Sequence, residues 1–102
     1  MPSNAVEVEI RKELGSDIRG NTVTAAALGH YLASDTAAKN NSSWFGGMGL
    51  SIQGERTQDH AHALWETKMV INQLKTYGIQ VDGSAEQVLK AIPAKSQRVA
   101  AR

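Results

Sequence analysis

Residues 55–78 read ERTQDHAHALWETKMVINQLKTYG, and this stretch decides the fold. Within it, one set of positions recurs at intervals of four, three, four and three residues: His60, Leu64, Thr67, Ile71 and Leu74. Such spacing keeps side chains on one face of an α-helix, and Gly78 is the residue type that commonly follows a helix end. We therefore predict a long helix from Glu55 to Tyr77.

The same predicted helix carries a second apolar stripe on a different side, with one member every four residues: Ala61, Trp65 and Met69. A helix in a small bundle needs one apolar face to reach the core, and a second face that includes a tryptophan needs a further neighbour. That neighbour is either the first helix or another subunit. We hypothesise the second case, in which the chain is a non-enzymatic protein-interaction module that forms a homodimer through these residues.

The N-terminal segment is compatible with two structures. Val6, Ile10 and Leu14 recur every four residues, which favours a helix over residues 5–14. Residues 5–11 also alternate between apolar and polar side chains, which is typical of a half-buried strand. We prefer the helix because good helix formers continue to Leu14.

Gly15 and Gly20 interrupt the helical pattern after the N-terminal segment, and residues 22–39 then predict a second helix. No charged residue lies between Arg19 and Asp35, so most of the circumference of this helix is suited to burial. His30 lies on a side made of small residues, which allow a neighbouring backbone to approach closely. We expect His30 to be a hydrogen-bonded histidine of the core.

Residues 40–54 combine four of the nine glycines with large apolar side chains, namely Trp44, Phe45 and Met48. Glycine, asparagine and serine favour a loop. Large apolar side chains in a loop either fill the core or meet a partner, because Trp, Phe and Met are enriched where interfaces bury area. We therefore include these three among the candidate interface residues. Residues 50–52 are also compatible with a short strand.

The C-terminal part of the chain predicts one more helix. Residues 79–81 form a short extended link and a turn follows it. Ser84 and Gln87 have the spacing of a capping box, which predicts a helix over residues 85–91. Pro93 then ends this helix.

Together these elements predict an all-α fold, a compact bundle of three to four helices with a glycine-rich aromatic loop. The alternative is an α+β fold in which residues 5–11, 50–52 and 79–81 pair as short strands. A length of 102 residues suits one domain, which we place at residues 1–92. Residues 93–102 form a basic C-terminal tail that we expect to be flexible.

Composition excludes several chemistries. Because the chain has no cysteine, it has no disulfide, no thiolate zinc site and no cysteine nucleophile. The first residues lack the basic and apolar regions of a secretory signal, and the uncharged stretches are too short and too polar to span a bilayer. We therefore expect a cytoplasmic protein that is not associated with a membrane.

Charge is distributed unevenly along the chain. Residues 1–86 carry seven basic and ten acidic side chains, a net charge of −3. The remainder carries four basic side chains and no acidic one, a net charge of +4: Lys90, Lys95, Arg98 and Arg102. Because basic arms bind phosphate, an alternative function is a nucleic-acid-binding regulator that uses these four residues.

A helix-turn-helix is a further interpretation of the first half, with helices at residues 24–32 and 35–44 and a break at residues 33–34. The second helix of such a motif enters the major groove of DNA. Here Lys39 is its only basic residue. Together with the acidic body, this argues against binding of a polyanion through that helix.

The histidines of the long helix begin a ligand cluster but do not complete one. His60 and His62 are two residues apart and point nearly opposite ways, so they cannot share an ion. His62 and Glu66, four residues apart, can share one, but two ligands are too few for a dedicated site. The sequence also lacks a nucleophile elbow and a complete phosphate-binding loop. We expect no metal, no cofactor, no small-molecule substrate and no enzymatic activity.

The triplet Trp44-Phe45-Gly46 lies between two helical halves of a cysteine-free chain. In this arrangement the chain resembles the WXG100 family, small helical hairpins that are substrates of type VII secretion and commonly dimerise. Trp44 and Gly46 carry the resemblance. It implies a helical hairpin and a role as a type VII secretion substrate, although Gly15 and Gly20 interrupt the first half.

Overall fold

The computed structural model of the chain describes residues 2–40, 44–45 and 48–93. Most of these residues belong to six helices: α1 (Pro2–Leu14), α2 (Ala25–Leu32), α3 (Asp35–Asn40), α4 (Met48–Glu55), α5 (His60–Thr76) and α6 (Ala85–Ala91). Three short strands are also present: β1 (Ile18–Arg19), β2 (Thr22–Thr24) and β3 (Gln80–Asp82). The prediction of a mostly helical domain is therefore confirmed.

The three strands form one mixed sheet, so the fold is α+β-like and the all-α prediction is wrong in this respect. In the order β1-β2-β3, the first pair is antiparallel and the second pair is parallel. Of the three strands in the α+β alternative, the link at 79–81 is extended as part of β3, whereas residues 5–11 and 50–52 are helical. Val23 of β2 pairs with Val81 and is fully buried, which joins the sheet to the core.

α1 confirms the helix that we preferred for the N-terminal segment. Ile10 on its inner side is fully buried, while the Arg11 guanidinium reaches the turn between β1 and β2. There it donates to the Gly20 carbonyl at 2.8 Å and to Asn21 Oδ1 at 2.6 Å. Gly20 has a φ of +64°, a left-handed conformation that glycine adopts without strain and that closes the two-residue turn.

The predicted helix over residues 22–39 is wrong in extent. Its first residues form β2, and the rest is divided into α2 and α3. Thr24 caps α2 with its side chain. The Ser34 hydroxyl donates to the Tyr31 carbonyl at 2.6 Å and accepts from the Ala37 amide at 3.1 Å, so it ends one helix and begins the next. The break falls where the helix-turn-helix interpretation placed it.

α2 and α6 pack at close range. Gly29 makes this possible, because a Cβ atom at that position would lie 2.5 Å from the Val88 carbonyl oxygen and 2.7 Å from Ala91 Cβ. Leu28 is fully buried on the same helix. His30 is exposed, so the prediction of a core histidine is wrong. The helix buries the side that carries its leucines rather than the side of small residues.

An aromatic cluster fills the part of the core between α2 and the segment that follows α3. Trp44 and Phe45 are 1% and 2% exposed. Their ring centroids lie 4.6 Å apart, and Tyr31 stacks on Trp44 at 6.0 Å. The Tyr31 hydroxyl donates to the carboxylate of Glu13 on α1. Met48 is half-buried against the same core, so the large residues of this segment contribute to the interior of the single chain.

α5 is shorter at its start than predicted. It begins at His60 rather than Glu55, because Glu55 ends α4, residues 56–58 form a turn, and Asp59 caps α5 by accepting from the His62 amide at 3.2 Å. The end is as predicted, with Gly78 at a φ of +83°. The buried side of the helix shares only Thr67 and Leu74 with the predicted apolar face. Its members are mostly small or apolar: Ala63, Glu66, Thr67, Val70 and Leu74.

α6 confirms the prediction for the C-terminal helix in full. It spans Ala85–Ala91 and begins with the expected capping box. The Gln87 amide donates to Ser84 Oγ at 3.2 Å, and the Ser84 amide donates to Gln87 Oε1 at 2.8 Å. Both bonds satisfy backbone donors that the first turn of a helix leaves free.

Candidate functional site

The outer side of α5 carries the most exposed aromatic residue of the described chain. Trp65 is 56% exposed and Met69 is 38% exposed. Ala61, one turn before Trp65, is also exposed. Because the three residues are four apart, they lie in one line along the helix, and we call them the outer stripe. The stripe that the sequence assigned to a second face is thus on the surface of the single chain.

Two other large apolar side chains among the described residues are exposed. Leu50 on α4 is 46% exposed and Val8 on α1 is 65% exposed. Leu50 directly precedes Ser51, whose hydroxyl lies 3.1 Å from the carboxylate of Glu66, the residue after Trp65. α4 and α5 therefore pack against each other in this region.

Three side chains with metal-ligating atoms converge at the corner between α4 and α5. Glu55 is the last residue of α4, and His62 and Glu66 lie in the first two turns of α5. His62 Nδ1 lies 2.5 Å from Glu55 Oε2 and 3.6 Å from Glu66 Oε1. One such atom from each residue lies within 4.8 Å of the other two. We call this group the Glu55–His62–Glu66 cluster.

Two polar side chains position the cluster. Ser51, one turn before Glu55, places its Oγ 3.1 Å from each carboxylate oxygen of Glu66 and 3.4 Å from Glu55 Oε1. Because a hydroxyl carries one proton, Ser51 donates to one of these oxygens at a time. Asp59 fixes the first turn of α5 through its bond to the His62 amide. The cluster is thus built on helical residues rather than on a free loop.

The members of the cluster differ in burial and in pKa. The side chain of Glu66 is only 9% exposed, whereas the side chains of Glu55 and His62 are 34% and 46% exposed. Burial raises the pKa of Glu66, and the nearby Glu55 carboxylate raises it further. The hydrogen bond between Glu55 and His62 lowers the pKa of Glu55 and raises the pKa of His62. One carboxylate is therefore readily ionised, and burial opposes ionisation of the other.

The cluster and the outer stripe adjoin each other. The His62 ring stacks on the Trp65 indole with centroids 5.6 Å apart and an angle of 17° between the planes. A change at His62 will therefore alter the surroundings of the indole.

The structure separates the six predicted interface residues into two groups. It brings Ala61, Trp65 and Met69 together on the surface, and it places Trp44 and Phe45 in the aromatic cluster of the core. The sixth, the half-buried Met48 at the start of α4, packs against that core as well. Only the outer stripe thus offers a continuous surface.

Sequence reasoning paired His62 with Glu66 but missed Glu55. Glu55 precedes His62 by seven residues and belongs to another helix, so no spacing within one helix predicts their contact. A signal was nevertheless present in Asp59, a preferred N-cap residue type. An N-cap at Asp59 predicts that the helix begins at residue 60, which leaves Glu55 outside it.

The predicted nucleic-acid residues fall almost entirely outside the described part of the chain. Lys90 is exposed on α6. Lys95, Arg98 and Arg102, and with them most of the basic tail predicted at residues 93–102, lie outside the described residues. Among the helices that are described, none combines the length and the apolarity needed to cross a bilayer.

Comparisons with protein-family models, with curated proteins and with solved structures found no significant match to this chain. The hairpin implied by the resemblance to the WXG100 family is also wrong. The first half of the chain divides into α1, the β1–β2 hairpin, α2 and α3. The features of the chain that bear on function are therefore the outer stripe and the Glu55–His62–Glu66 cluster.

Proposed function

We propose that this chain is a protein-interaction module, without enzymatic activity of its own, that self-associates through the outer stripe of α5. The observation that carries the proposal is the 56% exposure of Trp65. Covering apolar surface is favourable by about 25 cal/mol per Å², so an indole on the surface is a source of binding energy. Tryptophan and methionine are enriched at interfaces, and tryptophan is prominent among the residues that dominate binding energy.

The spacing of the outer stripe suits a pair of identical helices. Ala61 lies four residues before Trp65, and Met69 lies four residues after it. A two-fold axis perpendicular to α5 near Trp65 would place the helix antiparallel to its copy, so that the small Ala61 of one chain faces the long Met69 of the other. Each end of the contact would then combine a small and a large side chain, which favours close packing of two helices.

The size of the surface sets the expected strength of association. A standard stable interface buries about 800 Å² per partner, and the whole chain exposes 6023 Å². Three side chains in one line do not reach that area. We therefore expect a weak, concentration-dependent dimer, as for interfaces at the small end of the range.

Sedimentation velocity from low micromolar to several hundred micromolar protein tests the proposal. The unmodified chain should shift from monomer to dimer as its concentration rises, and Trp65→Ala should stay monomeric over the whole range. Val8→Ala is the matched control, because Val8 is an exposed apolar residue on α1. An unmodified chain that is monomeric at every concentration contradicts self-association, and equal weakening by the two substitutions contradicts the choice of surface.

A further inference from the structure

The Glu55–His62–Glu66 cluster has few groups to balance its negative charge. In the part of the chain that the structure describes, no lysine or arginine forms an ion pair with either carboxylate, and His62 and the Ser51 hydroxyl are the polar side chains beside them. The side chain of Glu66 is only 9% exposed. A buried carboxylate is costly unless it is paired or coordinates a metal. The composition of the cluster therefore favours a cation.

The distances within the cluster are close to those around a single ion. Bonds from zinc to imidazole nitrogen or carboxylate oxygen measure about 2.0–2.2 Å, so two ligand atoms of a tetrahedral ion lie about 3.4 Å apart. The three candidate atoms lie within 4.8 Å of one another. Small rotations of the Glu55 and His62 side chains, which border solvent, would close the remaining difference.

We propose that Glu55, His62 and Glu66 bind a divalent transition-metal ion of the zinc class, with His62 Nδ1 and one oxygen of each carboxylate as ligands. Imidazole suits zinc, nickel and copper, whereas magnesium and calcium favour sites made of oxygen atoms. Two ligands on α5 were too few for a dedicated site, and α4 supplies the third. Three protein ligands leave one position for solvent, as in open zinc sites.

Ser51 acts as a positioning residue in this arrangement. Its hydroxyl lies between the two carboxylates, at 3.1 Å from Glu66 and 3.4 Å from Glu55, and can donate to either of them. Groups that orient metal ligands in this way typically change the affinity for the metal 10-fold to 100-fold when they are removed. We therefore expect Ser51→Ala to weaken binding by roughly 10-fold.

Trp65 provides an optical signal for the ion. Its indole stacks on the His62 ring at 5.6 Å, whereas Trp44 is buried in the aromatic cluster. Paramagnetic Cu²⁺ or Co²⁺ bound at His62 should quench the emission of Trp65. A Trp65→Phe variant should lose this quenching while it retains the binding of Zn²⁺.

Calorimetric titration of the chelator-treated full chain with ZnCl₂ is the decisive experiment. We expect saturation at one ion per chain. His62→Ala should lower the affinity at least 100-fold, since even residues outside the coordination shell contribute up to about that factor. Glu55→Gln and Glu66→Gln should each lower it 10-fold or more. His60→Ala is the matched control, because His60 is an exposed histidine on the same helix and lies outside the cluster, and it should bind as the unmodified chain does.

Folding is monitored separately, because Glu66 is buried. Far-UV circular dichroism reports whether each variant is folded, and added Zn²⁺ should raise the melting temperature of the unmodified chain but not that of His62→Ala. If Glu66→Gln does not fold, the half-exposed Glu55 still gives an interpretable variant. Absence of saturable binding overturns the proposal, as does equal binding by His62→Ala or loss of binding in His60→Ala. The test of the metal site is independent of the test of self-association, because monomeric Trp65→Ala should still bind one ion.

Discussion

The two tryptophans of this chain occupy opposite environments. Trp44 is 1% exposed and Trp65 is 56% exposed. Trp44 packs edge-on against Phe45 at 4.6 Å and lies nearly parallel to Tyr31 at 6.0 Å. Trp65 stacks on His62, which is itself exposed. The same residue type thus fills the interior in one region and faces solvent in the other.

This difference shows how the chain uses its few aromatic residues. Three of the five are gathered in one cluster, namely Tyr31, Trp44 and Phe45. The remainder of the core consists mainly of aliphatic side chains. Stability should therefore depend strongly on the region around Trp44, whereas the region around Trp65 is free to serve binding.

Replacing each tryptophan by alanine should have the most unequal effect. Trp44→Ala removes a fully buried indole and leaves a cavity, so we expect it to lower the free energy of unfolding by about 3–5 kcal/mol. Trp65→Ala removes an exposed side chain and should change it by roughly 0.5 kcal/mol in the monomer. Urea unfolding at low protein concentration, followed by far-UV circular dichroism, measures both. Similar losses for the two variants would contradict the assignment of Trp44 to the core and of Trp65 to the surface.

Gly29 and Gly54 allow the same comparison between a packed and an open position to be made for the backbone. Gly29→Ala would place a Cβ atom 2.5 Å from the Val88 carbonyl oxygen in the contact between α2 and α6. We expect a loss of about 1–3 kcal/mol, as for other overpacked cores. Gly54 on α4 is the matched control, since a Cβ atom there would meet no other atom within 4 Å. Gly54→Ala should leave stability unchanged or raise it by up to roughly 1 kcal/mol.

Melting curves of the two glycine variants give the sign of each effect directly. An unchanged melting temperature in Gly29→Ala would mean that α2 and α6 separate at little cost. The contact between α2 and α6 would then accommodate an added methyl group, although Leu28 and Val88 are fully buried in it. A lower melting temperature in Gly54→Ala would show that the exposed side of α4 is sensitive to substitution as well.

The elements that sequence analysis predicted well are those that local bonds determine. Ser84 and Gln87 bond to each other's backbone, and α6 follows with the predicted bounds. Gly78 adopts the left-handed conformation that ends α5. Such signals lie within a few residues of the element that they start or stop, so one sequence is enough to recognise them.

The strands could not be predicted in the same way. β1 and β2 contain two and three residues, and neither is stable without a partner. Among the described strands, β1 pairs only with β2, and β2 in turn pairs with β3, where Val23 pairs with Val81, far along the chain. The hydrophobic pattern of residues 22–39 fits a helix, and pairing over this distance overrides it at Thr22–Thr24. The Glu55–His62–Glu66 cluster was incomplete for a similar reason, because its third member comes from a different helix.

We expect the smallest effect on stability from a substitution at the start of α5. Asp59 caps the helix on the exposed side of the molecule, where its carboxylate accepts from the His62 amide at 3.2 Å. Asp59→Ala should lower the free energy of unfolding by about 1 kcal/mol, the usual contribution of an N-cap. The neighbouring Gln58 is exposed, and Gln58→Ala should change it by less than roughly 0.5 kcal/mol. Hydrogen exchange of the first amides of α5 should quicken in the Asp59 variant alone. Equal exchange in both variants would mean that packing against α4, rather than the cap, holds the turn that carries His62.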